Sequence, residues 1–101
     1  MGRLAVHVIL YREEDLYLAH CLEFDLVAQG ATTDEAFRNL LDAIELQAGY
    51  AQETGDWTNL IQLAPLEYWQ MLTTAEHFTA EPNGWKWPSV VLHADCSLAH
   101  A

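Results

Sequence analysis

The feature that most constrains this chain is a complete helix signal that follows three short apolar segments. Thr32 and Glu35 fit a capping box, in which the hydroxyl and the carboxylate each bind a free amide at the helix start. Asp34 and Glu35 also suit the positive end of the helix dipole, and Gly55 is a suitable stop. One apolar stripe recurs at helical spacing, formed by Ala36, Phe37, Leu40, Leu41, Ile44 and Ala48. We therefore predict a helix over Thr33–Glu53 with one buried face.

The three segments before this helix are typical of strands. "LAVHVIL" (Leu4–Leu10) is rich in β-branched and apolar residues, and "REED" (Arg12–Asp15) is a polar turn. "LYLAHCLEF" (Leu16–Phe24) and "DLVAQG" (Asp25–Gly30) follow as a second and a third strand. This order predicts an antiparallel meander. Because few positions of the first two strands are polar, we expect protein to cover both faces.

The second half of the chain gives weaker signals. "NLIQL" (Asn59–Leu63) is a candidate fourth strand, and Pro65 suits the first turn of a helix over Pro65–Phe78. Apolar side chains surround that helix: Leu66, Tyr68, Trp69, Met71, Leu72, Ala75 and Phe78. "EPNGWKWPS" is typical of a loop, and "VVLHADC" is a candidate last strand.

These elements predict one α+β domain over residues 1–101. We expect a small antiparallel β-β-β-α-β sheet with a second, C-terminal helix. Residues 64–101 form a helical and aromatic extension in this interpretation. A chain of 101 residues is one domain's worth, and no repeat or linker divides it.

The charge balance restricts the partners. Fifteen acidic residues face four basic ones, for a net charge of −11. Nucleic-acid binders need a basic surface to displace counterions from phosphates, so we do not expect direct nucleic-acid binding. An anionic surface favours basic partners, although the charge also has a simpler role in solubility. With no leader, no membrane-length apolar run and no CxxC pair, we expect a cytoplasmic protein with reduced thiols.

Two groups of side chains invite a catalytic or metal-binding interpretation. If the first hairpin pairs Tyr11 with Leu16, then His7 lies opposite His20 beside Cys21, close enough to share an ion. No third ligand is evident, so we favour packed, hydrogen-bonded histidines and expect no metal or cofactor. Cys21 has no neighbour that would make it a nucleophile, and we expect it to be a small buried residue.

At this point the residues resemble a family. Tyr17, "AHCLEFDLVAQG", "TTDEAF" and "NLLDAIE" together are similar to the HicB antitoxin-like family over roughly Val6–Leu63. The resemblance implies a truncated ribonuclease-H-like fold that binds and neutralises HicA, a small basic toxin that cleaves messenger RNA. Many members carry a Pro-x-Leu-x-Gly segment where this chain has "CLEFDL". After Leu63 we find no DNA-binding module of the kind that full HicB antitoxins add.

The resulting hypothesis is a non-catalytic binding protein that sequesters a basic RNA-cleaving or RNA-binding partner. Its candidate partner-binding residues are Glu13, Glu14, Asp15, Glu23 and Asp25. Self-association as a dimer or larger oligomer is expected to cover edge strands and surplus aromatic surface. The candidate interface residues are Trp69, Trp85 and Trp87, although a core role is favoured for Trp69.

Two alternatives stay open. One is a stand-alone oligomeric scaffold of the same fold with another partner. The other is a weak metal-dependent nuclease that uses Glu23 and Asp25 with Asp42 or Glu45, because ribonuclease-H chemistry needs convergent carboxylates to hold two metal ions. The first strand carries no carboxylate, so we favour the non-catalytic hypothesis.

Overall fold

The structure, a computed structural model, describes residues 2–55, 61–73, 76–79 and 90–98. Its elements follow in this order: β1 (Gly2–Glu13), β2 (Leu16–Cys21), β3 (Leu26–Gly30), α1 (Thr33–Thr54), α2 (Leu66–Gln70), a 3-10 turn (Met71–Thr73), β4 (Glu76–Thr79) and β5 (Val90–Leu98). The fold is α+β, as the sequence predicted. Neither of the described helices is both long and apolar enough to cross a bilayer.

The strands form one sheet in the order β3-β2-β1-β5-β4. The predicted antiparallel meander of β1, β2 and β3 is confirmed. The last strand, β5, pairs with β1 in parallel, so the sheet is mixed rather than wholly antiparallel. A parallel neighbour requires a crossover connection, and α1 is part of it. The predicted β-β-β-α start is therefore present, but α2 comes before the remaining two strands, which pair with each other in antiparallel fashion.

The register of the first hairpin differs from the prediction. Tyr11 lies opposite Leu18, and Glu13 lies opposite Leu16. The strand β1 includes the first two residues of "REED", so only Glu14 and Asp15 form the turn, and Glu14 takes a left-handed φ of 56° there. Ile9, and not His7, therefore lies opposite His20. The expected pairing of the two histidines across the strands was wrong.

Helix α1 covers the first face of the sheet. The hydroxyl of Thr32 accepts a hydrogen bond from the Glu35 amide at 3.1 Å, and Gly55 ends the helix with a φ of 74°. All six residues of the predicted apolar stripe are buried. They pack against inward-facing strand residues that include Val6, Val8, Leu10, Ala19 and Cys21. The capping signal and the stripe were thus sufficient to place this helix.

The second face of the sheet is covered by the segment that contains α2. Ile9 and Leu22 are fully buried there beside Ala64. Partly buried side chains pack around them: Tyr11, Tyr68, Trp69, Met71 and Leu72. The expectation that both faces of the first strands are covered is confirmed.

Two predictions for the second half were wrong. The helix from Pro65 ends after a 3-10 turn at Thr73, and Glu76–Thr79 is a strand. Pairing with β5 outweighs the local helical pattern there. Within the predicted strand Asn59–Leu63, residues 61–63 are irregular, and residues 59–60 lie outside the described part. The last predicted strand is confirmed as β5.

Candidate functional site: an acidic hairpin and two histidine–carboxylate pairs

The acidic tip comprises Glu13, Glu14 and Asp15 at the end of the β1–β2 hairpin. All three residues are exposed. Within the described ranges, no Lys, Arg or His lies within ion-pair distance of their carboxylates. The neighbouring Arg12 instead donates from Nε to the carbonyl oxygen of Glu14 at 3.1 Å. The acidic tip is therefore an uncompensated cluster of negative charge.

Arg12 does not offset the negative charge on the face of the sheet towards which Glu13 points. Side chains alternate along a strand, so Arg12 and Glu13 project from opposite faces of β1. The Arg12 guanidinium carbon lies 5.9 Å from the centre of the Tyr17 ring, on the first face. The negative charge of Glu13 thus belongs to the second face, away from the nearest cation.

A shallow groove of about 300 Å³ lies beside the acidic tip on the second face. Its lining residues are Glu13, Glu14, Leu16, Leu18 and Gln29. Leu16 is 39% exposed, and Val27, which shares this face two residues along β3 from Gln29, is 48% exposed. The groove therefore combines an apolar floor with carboxylates at one rim.

Tyr11 marks the boundary between the groove and the covered part of the second face. Tyr11 lies opposite Leu18 across β1 and β2, and its ring centre lies 6.5 Å from that of Tyr68. Burial raises the pKa of Tyr11, and the nearby Tyr68 and Glu13 raise it further. Tyr11 therefore contributes a neutral phenol and no additional charge.

The other two candidate partner-binding residues lie at the opposite end of β2. Glu23 and Asp25 belong to the turn after Cys21, roughly 17 Å from the acidic tip at about 3.4 Å per strand residue. The Glu23 carboxylate accepts hydrogen bonds from the His7 amide at 2.7 Å and from His7 Nδ1 at 2.6 Å. The structure thus divides the predicted site into two parts.

Asp25 is engaged in a second pair. Its Oδ1 accepts a hydrogen bond from His20 Nε2 at 2.7 Å, and the His20 side chain is only 3% exposed. Asp25 has a left-handed φ of 51°, which aspartate tolerates better than most residues. The Tyr68 ring meets the His20 ring at 4.5 Å in a T-shaped contact. Both histidines are packed and hydrogen-bonded, in agreement with the interpretation favoured from the sequence.

The arrangement required for a nuclease is not formed within the described part of the chain. Glu23 and Asp25 bind histidines on the second face, whereas Asp42 is exposed on α1, which covers the first face. Glu45 is also on α1. Among the described residues, no group of three or more His, Cys, Asp and Glu side chains is placed to hold a metal ion. The four proposed carboxylates therefore do not converge.

Trp69 is part of the second-face core. Its indole Nε1 donates to the Ala64 carbonyl at 3.0 Å, and its ring centre lies 5.9 Å from that of His7. The residue is half-buried, which agrees with the core role favoured from the sequence. The other two candidate interface residues, Trp85 and Trp87, lie outside the described residues.

Cys21 is chemically protected. It is fully buried on the first face. Burial raises the pKa of its thiol to about 12, with a smaller contribution from the charge of Glu23. A thiol that keeps its proton is a poor nucleophile. The expected role as a small buried residue is confirmed.

Sequence reasoning missed both histidine–carboxylate pairs. The His20–Asp25 pair spans five residues across one turn, so the string "HCLEFD" contained a usable signal. The His7–Glu23 pair spans 16 residues and depends on the hairpin register. Only the correct two-residue turn would have placed Glu23 beside His7.

These features define a small α+β protein with a mixed sheet, one face covered by α1, a second face covered in part by the segment of α2, and an acidic hairpin tip with no cation in ion-pair reach among the described side chains. Comparisons with family models, with curated proteins and with solved structures found no match for this chain. The function must therefore follow from the residues of the chain itself.

Proposed function

We propose that this chain is a HicB-antitoxin-type binding protein that sequesters a small basic partner able to cleave or bind RNA, such as a HicA-type toxin. The acidic tip is the observation that carries the proposal. Three exposed carboxylates project there with no cation in ion-pair reach among the described residues. A basic RNA-cleaving protein attracts phosphate with its active face, and carboxylates can occupy the same face by electrostatic complementarity.

Two further observations support this function. Within Val6–Leu63 the elements follow the order β-β-β-α, which is the first part of the β-β-β-α-β order implied by the resemblance; residues 61–63 do not form its closing strand. The net charge of −11 speeds encounter with a basic partner and opposes direct binding to nucleic acid. In this proposal the protein acts in the cytoplasm, where an RNA-cleaving toxin meets its substrate.

The proposal includes self-association. β3 and β4 lie at the two edges of the described sheet, and edge strands are commonly covered by a neighbouring chain. Trp69, Trp85 and Trp87 remain the proposed contributors to that interface. The half-exposed ring of Trp69 gives it a surface for such a contact beside its role in the core.

A second candidate function is an oligomeric scaffold without a toxin partner. Large apolar side chains are exposed on two described segments, which is typical of surfaces that other chains cover. On α1 these are Leu46, at 77%, and Tyr50, at 66%; before α2 and at its first residue they are Ile61, Leu63 and Leu66, at 61–71%. Copies of the same chain could cover these residues without any basic partner.

Affinity capture at low salt distinguishes the two functions. The tagged protein is recovered from its native cell extract, and bound proteins are released by increasing salt. We expect a small basic protein that cleaves or binds RNA, released as exposed charges are screened. The released protein is then tested for RNA cleavage with and without this chain. Recovery of this chain alone would favour the scaffold, and binding insensitive to salt would contradict electrostatic masking.

A further inference from the structure

We propose that the groove beside the acidic tip binds an extended segment of the partner in which a lysine or arginine is followed, two residues later, by an apolar side chain of leucine size. This inference rests on the proposed function, because it specifies which part of the basic partner this surface recognises. Three properties of the groove support it: the position of its charges, its apolar floor and its dimensions.

The charges lie at one rim only. Glu13 and Glu14 line the groove, and neither has a cationic partner among the described residues. Arg12 projects from the opposite face and donates to a backbone oxygen. A cation entering the groove therefore meets carboxylates that are not already neutralised. Glu23 and Asp25 cannot compete for it equally, because each already binds a histidine.

The groove has an apolar part, its floor. Leu16 and Leu18 supply this part, and the half-exposed Val27 lies beyond it on the same face of β3. Leu16 and Leu18 suit the hydrocarbon stem of lysine or arginine, which packs on apolar surface while its charged end stays in water beside Glu13 and Glu14. A small inorganic cation would gain nothing from this floor.

The dimensions select an extended segment. The lining residues run from Glu13 on β1, across β2, to Gln29 on β3, which is two strand spacings or about 9.5 Å. In an extended chain, alternate side chains on one face lie about 6.6 Å apart. A basic side chain over Glu13 therefore places the side chain two positions later over Leu18 and towards Val27. The side-chain amide of Gln29 lines the groove and is placed to hydrogen-bond the backbone of the segment.

The test uses the full-length protein and a synthetic peptide, acetyl-Arg-Ser-Leu-Ser-Arg-Ser-Leu-amide, as the probe. Amide chemical shifts of the ¹⁵N-labelled protein are followed during a low-salt titration. We expect the largest changes at Glu13–Leu18 and Gln29. A peptide with serine in place of both leucines keeps the charge but loses the apolar contact, and we expect it to bind at least about threefold more weakly.

Two matched double variants separate the groove from net charge. Glu13→Gln with Glu14→Gln removes two charges at the groove, and Asp42→Asn with Glu53→Gln removes two exposed charges from α1. We expect the first to weaken peptide binding about fivefold or more and the second less than twofold. All four side chains are exposed, so both variants should fold, which their spectra will show.

Three outcomes would overturn the inference: shift changes centred elsewhere, an equal loss in both double variants, or equal binding of the serine peptide. Its failure can be distinguished from failure of the proposed function. If the extract yields a basic RNA-cleaving partner whose binding tolerates Glu13→Gln with Glu14→Gln, the function stands and the groove is wrong. If the peptide binds the groove but the extract yields no basic partner, the antitoxin function is wrong and the recognition surface stands.

Discussion

Among the described glycines Gly30, Gly49 and Gly55, only Gly30 has no room for an added methyl group. It is the last residue of β3, and the N-terminal turn of α1 packs directly onto it. A Cβ added at Gly30 would lie 2.5 Å from the Ala36 amide nitrogen and 2.9 Å from both the carbonyl carbon and the Cβ of Glu35. We therefore predict that Gly30→Ala destabilises the protein because of contact with a helix backbone.

The magnitude follows from what would have to move. Ordinary contact begins at about 3.4 Å, so the Ala36 nitrogen is 0.9 Å too close. Ala36 is fully buried, and shifting it would displace the whole apolar stripe of α1. Inserting a methyl into a packed core costs about 1–3 kcal/mol and occasionally more. Alanine also reduces the conformational entropy of the unfolded chain, which stabilises the folded state by about 0.4–1 kcal/mol. Because the overlap is with backbone rather than with a flexible side chain, we take the upper end of the first range and expect a net loss of about 2 kcal/mol.

Gly49→Ala is the matched control within the same chain. A Cβ at Gly49 would meet nothing within 4 Å, and the residue lies inside α1. Replacing glycine by alanine in a helix interior stabilises by roughly 0.5–1 kcal/mol. The same chemical change should therefore have opposite signs at the two glycines.

Urea denaturation followed by circular dichroism measures both effects. We expect a lower midpoint for Gly30→Ala and a higher midpoint for Gly49→Ala, with unchanged m-values. For a domain of this size, a loss of about 2 kcal/mol should lower Tm by roughly 10 °C. If Gly30→Ala were neutral or stabilising, the close packing of α1 against the end of β3 would be refuted.

Three further predictions concern the cap, the buried pair and pH. Thr32→Ala should cost about 1 kcal/mol of unfolding free energy, whereas Thr32→Ser keeps a hydroxyl acceptor and should cost much less in the same urea assay. Asp25→Ala should cost about 1–3 kcal/mol because His20 loses its partner and alanine is disfavoured at the left-handed φ of 51°. Asp25→Asn keeps an oxygen acceptor and tolerates that φ, so equal losses would contradict the role of Asp25. The Cys21 thiol has a pKa of about 12 in the folded protein and an ordinary value of 9.0. Its contribution to the free energy of unfolding is therefore fully present below about pH 9 and is lost as the pH rises towards 12. Between pH 8 and pH 10, wild type should lose about 1 kcal/mol more than Cys21→Ala.

The first half of the fold could be predicted from the sequence because its signals are local. A capping hydroxyl at Thr32, a six-residue apolar stripe and a terminal Gly55 all act within one helix. The three preceding strands are neighbours in both sequence and space. Each element could therefore be recognised without knowledge of the others.

The second half could not be predicted in the same way because its structure depends on distant pairing. The residues Glu76–Thr79 belong to a sequence pattern typical of a helix, but they form a strand that pairs with β5, which begins at Val90. In turn, β5 is held beside β1, at the other end of the chain. Local propensity is a weak preference that such contacts override.

An error of two residues in the hairpin register was enough to obscure the candidate site. Taking "REED" as a four-residue turn placed His7 opposite His20 and suggested a shared ion. With the true two-residue turn, His7 lies where the Glu23 carboxylate binds it, and His20 binds Asp25 instead. A shift of two residues keeps every side chain on its own face, so the burial pattern could not reveal the error.

The histidine pairs also change what the acidic composition means for binding. Of the five candidate carboxylates, those of Glu23 and Asp25 accept hydrogen bonds from His7 and His20, whereas the three of the acidic tip have no cation within ion-pair distance among the described side chains. The two groups are roughly 17 Å apart along β2, whereas the Debye length at physiological salt is about 8 Å. A cation bound at the acidic tip therefore has only a weak electrostatic interaction with the carboxylates of the distant turn. Since binding there depends on a few local charges, the position of a charge should matter more than the net charge of −11, and two double variants of equal net charge should differ in affinity.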